Sequence, residues 1–110
     1  MITWNLCPVA LEEAINDRIA NGKTPKAIVA DHLYGMPFKV DEVMAIANKY
    51  NIPVIEDAAE ALGSTYKGKA CGSFGRFGVL SFNGNKIITT SGGGALVCQN
   101  QEDKEQAVFL

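Results

Sequence analysis

Two short runs constrain this chain more than anything else in it: "KAIVA" at residues 26–30 and "PVIEDA" at residues 53–58. Both are apolar over strand length and show no polar alternation. Strands of that kind are buried on both faces, which happens where helices cover a mostly parallel sheet. The intervening sequence agrees. "PVALEEAINDRIANG" places Leu11, Ala14, Ile15, Arg18 and Ile19 at helical spacing, with Pro8 in the first turn and Gly22 as a stop. "VDEVMAIANKYN" predicts a second helix with Val40, Val43, Met44 and Ala47 on one face. Asp41 and Glu42 lie in its first turn, where negative charge suits the helix dipole. "DHLYGMP" reads as loop. A third strand is expected near Val79 to Phe82, a fourth in "GGALVCQ", and a last helix opened by Asn100 as its cap. The expected class is α/β: a mostly parallel sheet with helices on both faces. The chain starts just before one helix and stops inside another, as a piece of a larger α/β domain would.

Composition narrows the function. With 10 basic and 12 acidic side chains among 110 residues, the formal charge is −2, and there is no basic run. That argues against a nucleic-acid surface. No apolar run approaches the roughly 20 residues that span a bilayer, so no membrane partner is expected. The first twenty residues do not have the pattern of a secretory leader, and a cytoplasmic location is expected. Cys7, Cys71 and Cys98 are odd in number and widely spaced, which disfavours both a disulfide framework and a zinc cluster. One histidine, His32, rules out a multi-histidine metal site, and no metal is expected.

Chemistry gathers around "SFNGNKIITTSGGGALV", residues 81–97, where Lys86 sits between an apolar run and three glycines. In open parallel sheets, ligands bind at the carboxyl ends of the strands. "PVIEDAAEALGS" delivers Glu56 and Asp57 to such an end, and small residues follow that would let a flat group approach the backbone. A lysine and a carboxylate on neighbouring strand ends suit pyridoxal phosphate. Its aldehyde takes a lysine amine as a Schiff base, and its ring nitrogen needs a carboxylate to stay protonated. Ser81, Thr89 to Ser91 and the amides of Gly92 to Gly94 are candidate phosphate donors. Spacing alone leaves a solvated turn as the alternative. Gly72, Gly75 and Gly78 do not form a dinucleotide loop: their spacing is G-x-x-G-x-x-G, and they precede a strand instead of opening a helix. They are expected to shape a turn over the pocket, and "YKGKACG" reads as an exposed hairpin turn.

At this point the motifs "HLYGMP", "EDAAEALGS", "GSFG" and "SFNGNKIITTSGGG", in that order, resemble the DegT-type sugar aminotransferases. The resemblance runs from about Trp4 to the end. It implies a fold-type-I pyridoxal-phosphate enzyme that aminates a nucleotide-linked keto-sugar. The amino group would come from an amino acid such as glutamate, and the product would serve bacterial surface glycans. "SFNGNKIITTSGGG" looks most like the subgroup that makes 4-amino sugars. By this resemblance Lys86 is the Schiff-base lysine, and Asp57 pairs with the pyridine nitrogen. Ala59 packs on the ring, Glu60 lies near the ring hydroxyl, Ser81 binds the phosphate and Asn83 lies near it. For His32 a direct role and a loop histidine bonded to backbone both stay open.

Members of this family are longer. Residues 1–110 are therefore expected to be part of a cofactor-binding large domain, without the upstream phosphate-binding helix start and the C-terminal small domain. Unpaired sheet edges and apolar faces would then favour a homo-oligomer. A non-catalytic, self-associating remnant is the alternative to a catalytic fragment.

Overall fold

The computed structural model describes residues 3–110. Helix α1 spans Pro8–Ala20, strand β1 Ile28–Asp31, α2 Val40–Tyr50 and β2 Val54–Asp57. A hairpin of β3 (Thr65–Tyr66) and β4 (Lys69–Ala70) follows, then β5 (Phe77–Ser81), β6 (Gly94–Cys98) and α3 (Gln101–Phe109). The main sheet has the order β1-β2-β5-β6. β1, β2 and β5 run parallel, and β6 returns antiparallel beside β5. β6 returns beside β5 after a single loop at residues 82–93, because an antiparallel neighbour needs no crossover, whereas the parallel pairs need a connecting helix or a long excursion.

One face of the sheet is closed by α1 and α2. Ile15 from α1 and Val40, Val43 and Ala47 from α2 pack with Ile28, Ala30, Phe38, Ile52 and Val54 into a buried core. The two helices are also tied at the surface, where Glu12 accepts from Lys49 Nζ at 2.5 Å and from the Tyr50 hydroxyl at 3.0 Å. Alternate residues on the strands point the other way. There Val29 is 65% exposed, Val79 38% and Leu96 47%, so apolar side chains on the opposite face meet solvent. α3 is anchored at one end by its first turn. Asn100 caps it by accepting the Asp103 N–H at 2.8 Å, and buried Asp103 takes Arg76 through both carboxylate oxygens.

The element order agrees with the sequence reading, with three differences. Asp31 belongs to β1 and not to the following loop, and Leu33–Gly35 forms a short 3₁₀ turn. β5 begins at Phe77, ahead of the expected Val79. Of the cysteines, Cys7 is exposed at the start of α1 and Cys71 is buried. Among the described residues no helix is long and apolar enough to cross a membrane, and no cluster of His, Cys, Asp and Glu could hold a metal ion.

Candidate active site

The carboxyl ends of β1, β2 and β5 lie side by side, and the acids and the lysine meet there. Asp31 closes β1 and stands in register with Asp57, which closes β2. Both strands put these residues on the open face. Asp57 turns one carboxylate oxygen onto the Ala59 N–H at 3.1 Å, a turn closed by its own side chain. Ala58 is buried behind it, and Ala59 and Glu60 follow on the connection. Lys86 lies on the loop after β5 with its side chain 19% exposed, and its Nζ is 3.7 Å from Glu60 Oε1. The other oxygen of Glu60 accepts the Tyr34 backbone N–H at 3.1 Å.

Asp31 ties the group together electrostatically. Desolvation at the sheet end pushes its carboxyl above the usual range. The negative charges of Asp57 and Glu60 push it further, and His32 and Lys86 pull it back. Its charge thus senses Asp57, Glu60 and Lys86 at once, so the four share one end of the sheet. Sequence reading missed Asp31. The signal was available, because an acid directly after an apolar strand was the argument used for Asp57.

Ser81 is the last residue of β5, and its hydroxyl accepts the Asn83 N–H at 3.4 Å. The Asn83 amide side chain donates to Asn85 Oδ1 at 3.2 Å, within the same loop. That loop is held shut by backbone bonds. Phe82 N–H donates to Gly93 O at 2.9 Å, Thr90 N–H to Phe82 O at 3.0 Å, and Lys86 N–H to Asn83 O at 3.0 Å. Lys86 is therefore carried on a loop clamped to the end of β5 and not on a free tether. Ser91 and Gly93 have positive φ, so this segment makes a turn.

Glu56 and Asp57 part company. Consecutive strand residues face opposite ways, and Glu56 points into the closed side, fully buried. Its Oε1 accepts from His32 Nε2 at 2.8 Å and from the Gly72 N–H at 2.9 Å. Its Oε2 accepts from Phe74 N–H at 2.6 Å and Gly75 N–H at 2.7 Å. Burial alone would raise its pKa. The hydrogen bonds from His32, Gly75, Gly72 and Phe74 outweigh that and hold it below the usual carboxylate range. The 72–75 loop is thus wrapped on a carboxylate. His32 is fully buried as well and follows the end of β1. It is the loop histidine of its second reading, its Nδ1 accepting the Phe38 backbone N–H at 3.3 Å, and its ring stacks on Phe38 at 4.4 Å.

The G-x-x-G-x-x-G spacing finds its reason in the same loop. A Cβ on Gly75 would lie 2.5 Å from the Val54 carbonyl oxygen, and one on Gly78 would lie 1.9 Å from that of Gly72. The glycines permit backbone-to-backbone approach around Glu56 instead of forming a phosphate cradle.

The donor set at the open end consists of a partly shielded amine, a strand-end carboxylate, a hydroxyl and small residues between them. It fits a flat, phosphorylated aldehyde with a basic ring nitrogen. The comparisons agree with that chemistry. EpsN of Bacillus subtilis is 56% identical over 108 residues, covering 98% of this chain and 28% of EpsN. The GDP-perosamine synthase of Caulobacter vibrioides is 46% identical over 101 residues, covering 92% of this chain and 25% of that enzyme. Among solved structures, Helicobacter pylori PseC, an aminotransferase of pseudoaminic acid biosynthesis, superposes with a TM-score of 0.85. It is 36% identical, and the match covers 96% of this chain and 27% of PseC. The Escherichia coli GDP-4-keto-6-deoxy-D-mannose-3-dehydratase, solved with bound hydrated pyridoxal phosphate, matches at 0.84 with 31% identity, over 96% of this chain and 26% of the enzyme. The chain thus spans about a quarter of the length of these proteins, a part of their large domain. Residues 1–110 all match one family, and the chain belongs to the DegT/DnrJ/EryC1/StrS aminotransferases.

Proposed function

We propose that this chain is the cofactor-binding part of a pyridoxal-phosphate aminotransferase acting on a nucleotide-linked keto-sugar. An amino acid such as glutamate would be the amino donor, in the cytoplasmic biosynthesis of bacterial surface glycans. The observation that carries the reading is the placement of Lys86 and Glu60, 3.7 Å apart, at the sheet end that Asp57 closes. The names of the relatives point to nucleotide sugars: a GDP-sugar synthase and a GDP-sugar dehydratase are among them.

Pyridoxal phosphate supplies, when bound, an electron sink that makes a proton on the amino donor's α-carbon labile. The chain's own residues would do the rest. Lys86 Nζ would attach the aldehyde covalently and, once released, hold and move the proton. Asp57 would face the ring nitrogen with its carboxylate and favour the protonated ring. Ala59 leaves room for the ring plane. Glu60 would lie by the ring hydroxyl, steadied by the Tyr34 N–H. Ser81 would donate its hydroxyl to the phosphate, with Asn83 beside it.

Adding pyridoxal phosphate should produce an absorption band near the blue edge of the visible. Lys86→Ala should remove it completely, and Lys67→Ala, on the exposed hairpin, should leave it. A missing band, or one indifferent to Lys86→Ala, would instead identify a remnant that keeps the fold and not the site.

The same reading includes self-association. Val29, Val79 and Leu96 are exposed apolar side chains on the open face, and among the described residues no strand pairs with the outer edges of β1 and β6. Burying such surface favours assembly. Sedimentation should therefore show a dimer or larger species, and a single monomeric boundary would refute this part.

A further inference from the structure

We propose that His32 is a positioning residue of this site: its ring closes the 32–38 loop, whose Tyr34 N–H holds Glu60 against Lys86. Its relevance to the reaction rests on the function proposed above; the placement itself does not.

The loop needs a staple. Tyr34 has φ 53° and ψ 29°, and Gly35 has φ 77°, so two successive residues occupy the left-handed region. That conformation costs a non-glycine residue about 1 kcal/mol. Such geometry persists only where its surroundings impose it. The tyrosine ring imposes nothing, because the residue is 85% exposed. The restraint comes from elsewhere. His32 Nδ1 accepts the Phe38 N–H at 3.3 Å and bridges the whole loop, while the ring stacks on Phe38. The backbone N–H of His32 donates to Asp57 O at 3.0 Å, fixing the loop's start to the end of β2. Asn5 braces the outer side, accepting the Leu33 N–H at 2.9 Å and donating to Met36 O at 2.7 Å.

Glu56 decides which nitrogen does what. Nδ1 is an acceptor, so Nε2 carries the proton and donates it to Glu56 Oε1 at 2.8 Å. The carboxylate, itself fixed by the Gly72, Phe74 and Gly75 amides, locks the ring in the tautomer that can receive Phe38. The far side of the loop then meets the site. Tyr34 N–H reaches Glu60 Oε2, and Gly35 packs so close that a Cβ would stand 2.9 Å from the Glu60 carbonyl oxygen. His32 touches neither Glu60 nor Lys86, yet it sets the wall against which Glu60 rests.

The two nitrogens can be separated by substitution. His32→Asn keeps an acceptor at the Nδ1 position and loses the donor to Glu56. His32→Gln keeps a donor towards Glu56 and loses the acceptor for Phe38. Two cofactor-free readouts follow the loop and the site. One is exchange of the Tyr34 amide; the other is acetylation of Lys86 by acetic anhydride relative to exposed Lys23. His32→Gln should speed Tyr34 exchange by about tenfold or more, as local opening does. It should also raise relative labelling of Lys86, which loses its carboxylate partner. His32→Asn should keep both near the parent values even where it melts lower.

If both readouts follow the melting midpoint, whichever nitrogen is replaced, His32 is a packing residue and the proposal falls. It falls too if the Tyr34 amide loosens while Lys86 labelling is unchanged. Should either variant fail to fold, the parent chain decides. Its single histidine gives unambiguous imidazole ¹⁵N signals: a proton on Nε2 at neutral pH supports the staple, and a proton on Nδ1 overturns it. Because neither readout uses pyridoxal phosphate, a missing cofactor band would count against the functional reading alone.

Discussion

Gly78→Ala is expected to abolish the native fold of this chain. An added Cβ would stand 1.9 Å from the Gly72 carbonyl oxygen and 2.6 Å from its carbon. These are backbone atoms, with no flexible tip to swing aside. Gly72 cannot withdraw easily, because its N–H donates to buried Glu56 at 2.9 Å and the preceding Cys71 N–H donates to Ser64 O at 3.0 Å. Gly78 cannot withdraw either. It is the second residue of β5, in register with Glu56 of β2 on one side and Val97 of β6 on the other. Overpacking against fixed atoms costs about 3 kcal/mol or more. Stabilities of domains are only about 5–15 kcal/mol in total. The measurement is thermal unfolding by circular dichroism, with Gly63→Ala as control. A Cβ on Gly63 meets nothing within 4 Å, although its φ of +86° adds some strain. The control should unfold cooperatively. Gly78→Ala should be unfolded, or should melt at least about 12 °C lower, as a loss of that size implies for a chain this short. A Gly78→Ala chain melting within a few degrees of the parent would show that the 72–75 loop is mobile and not clamped.

This glycine also marks where the sequence stops being legible. The fold class followed from "KAIVA" and "PVIEDA", whose lack of alternation is that of parallel-sheet strands, and from the helix between them; within this chain only one face is covered, and Val29 on the other is exposed. Asn100 as a cap and "YKGKACG" as a hairpin were local signals, and both hold in the structure. β5 starts two residues earlier than expected. Its opening Phe77-Gly78 looks like turn sequence, and the demand for a glycine comes from Gly72, which is adjacent only after folding. Asp31 reads as the start of the loop "DHLYGMP", and aspartate is indeed poor in strands. A parallel neighbour, β2, overrides that preference. The candidate site was legible through its chemistry types, one lysine and the acids after a strand, but not through their directions. Strand alternation alone would have sent Glu56 and Asp57 to opposite faces and placed His32 with Ile28 and Ala30 on the buried side. What it could not supply is the reason a buried Glu56 is tolerated. Three of its four donors lie 16 to 19 residues away in a loop, and the fourth, His32, lies 24 residues away, just beyond the end of β1.

Glu56→Ala should be the most destabilising change among the acids, by at least about 3 kcal/mol, because a buried donor left without an acceptor costs roughly 1–3 kcal/mol. Four donors would be stranded at once: His32 Nε2 and the amides of Gly72, Phe74 and Gly75. Water entering the space left by the side chain would soften this but cannot reproduce four converging bonds on one carboxylate. The same geometry sets a pH signature. The fold holds Glu56 ionised more firmly than the unfolded chain does, so the folded state binds fewer protons there. Its stabilisation is complete above the ordinary glutamate value of about 4.3 and is lost as pH falls through the lower value of the folded state. Glu12, Asp41 and Asp103 are also held down, by hydrogen bonds from Lys49, Lys67 and Arg76, so acid will weaken the parent chain through them as well. Comparing denaturant stability of the parent and Glu56→Ala across the acid range isolates the one carboxylate. The gap between the two should be widest at neutral pH and should narrow as acid protonates Glu56. A gap that stays constant into acid would mean that the carboxylate's charge contributes nothing, and that the loop at 72–75 is held by packing alone.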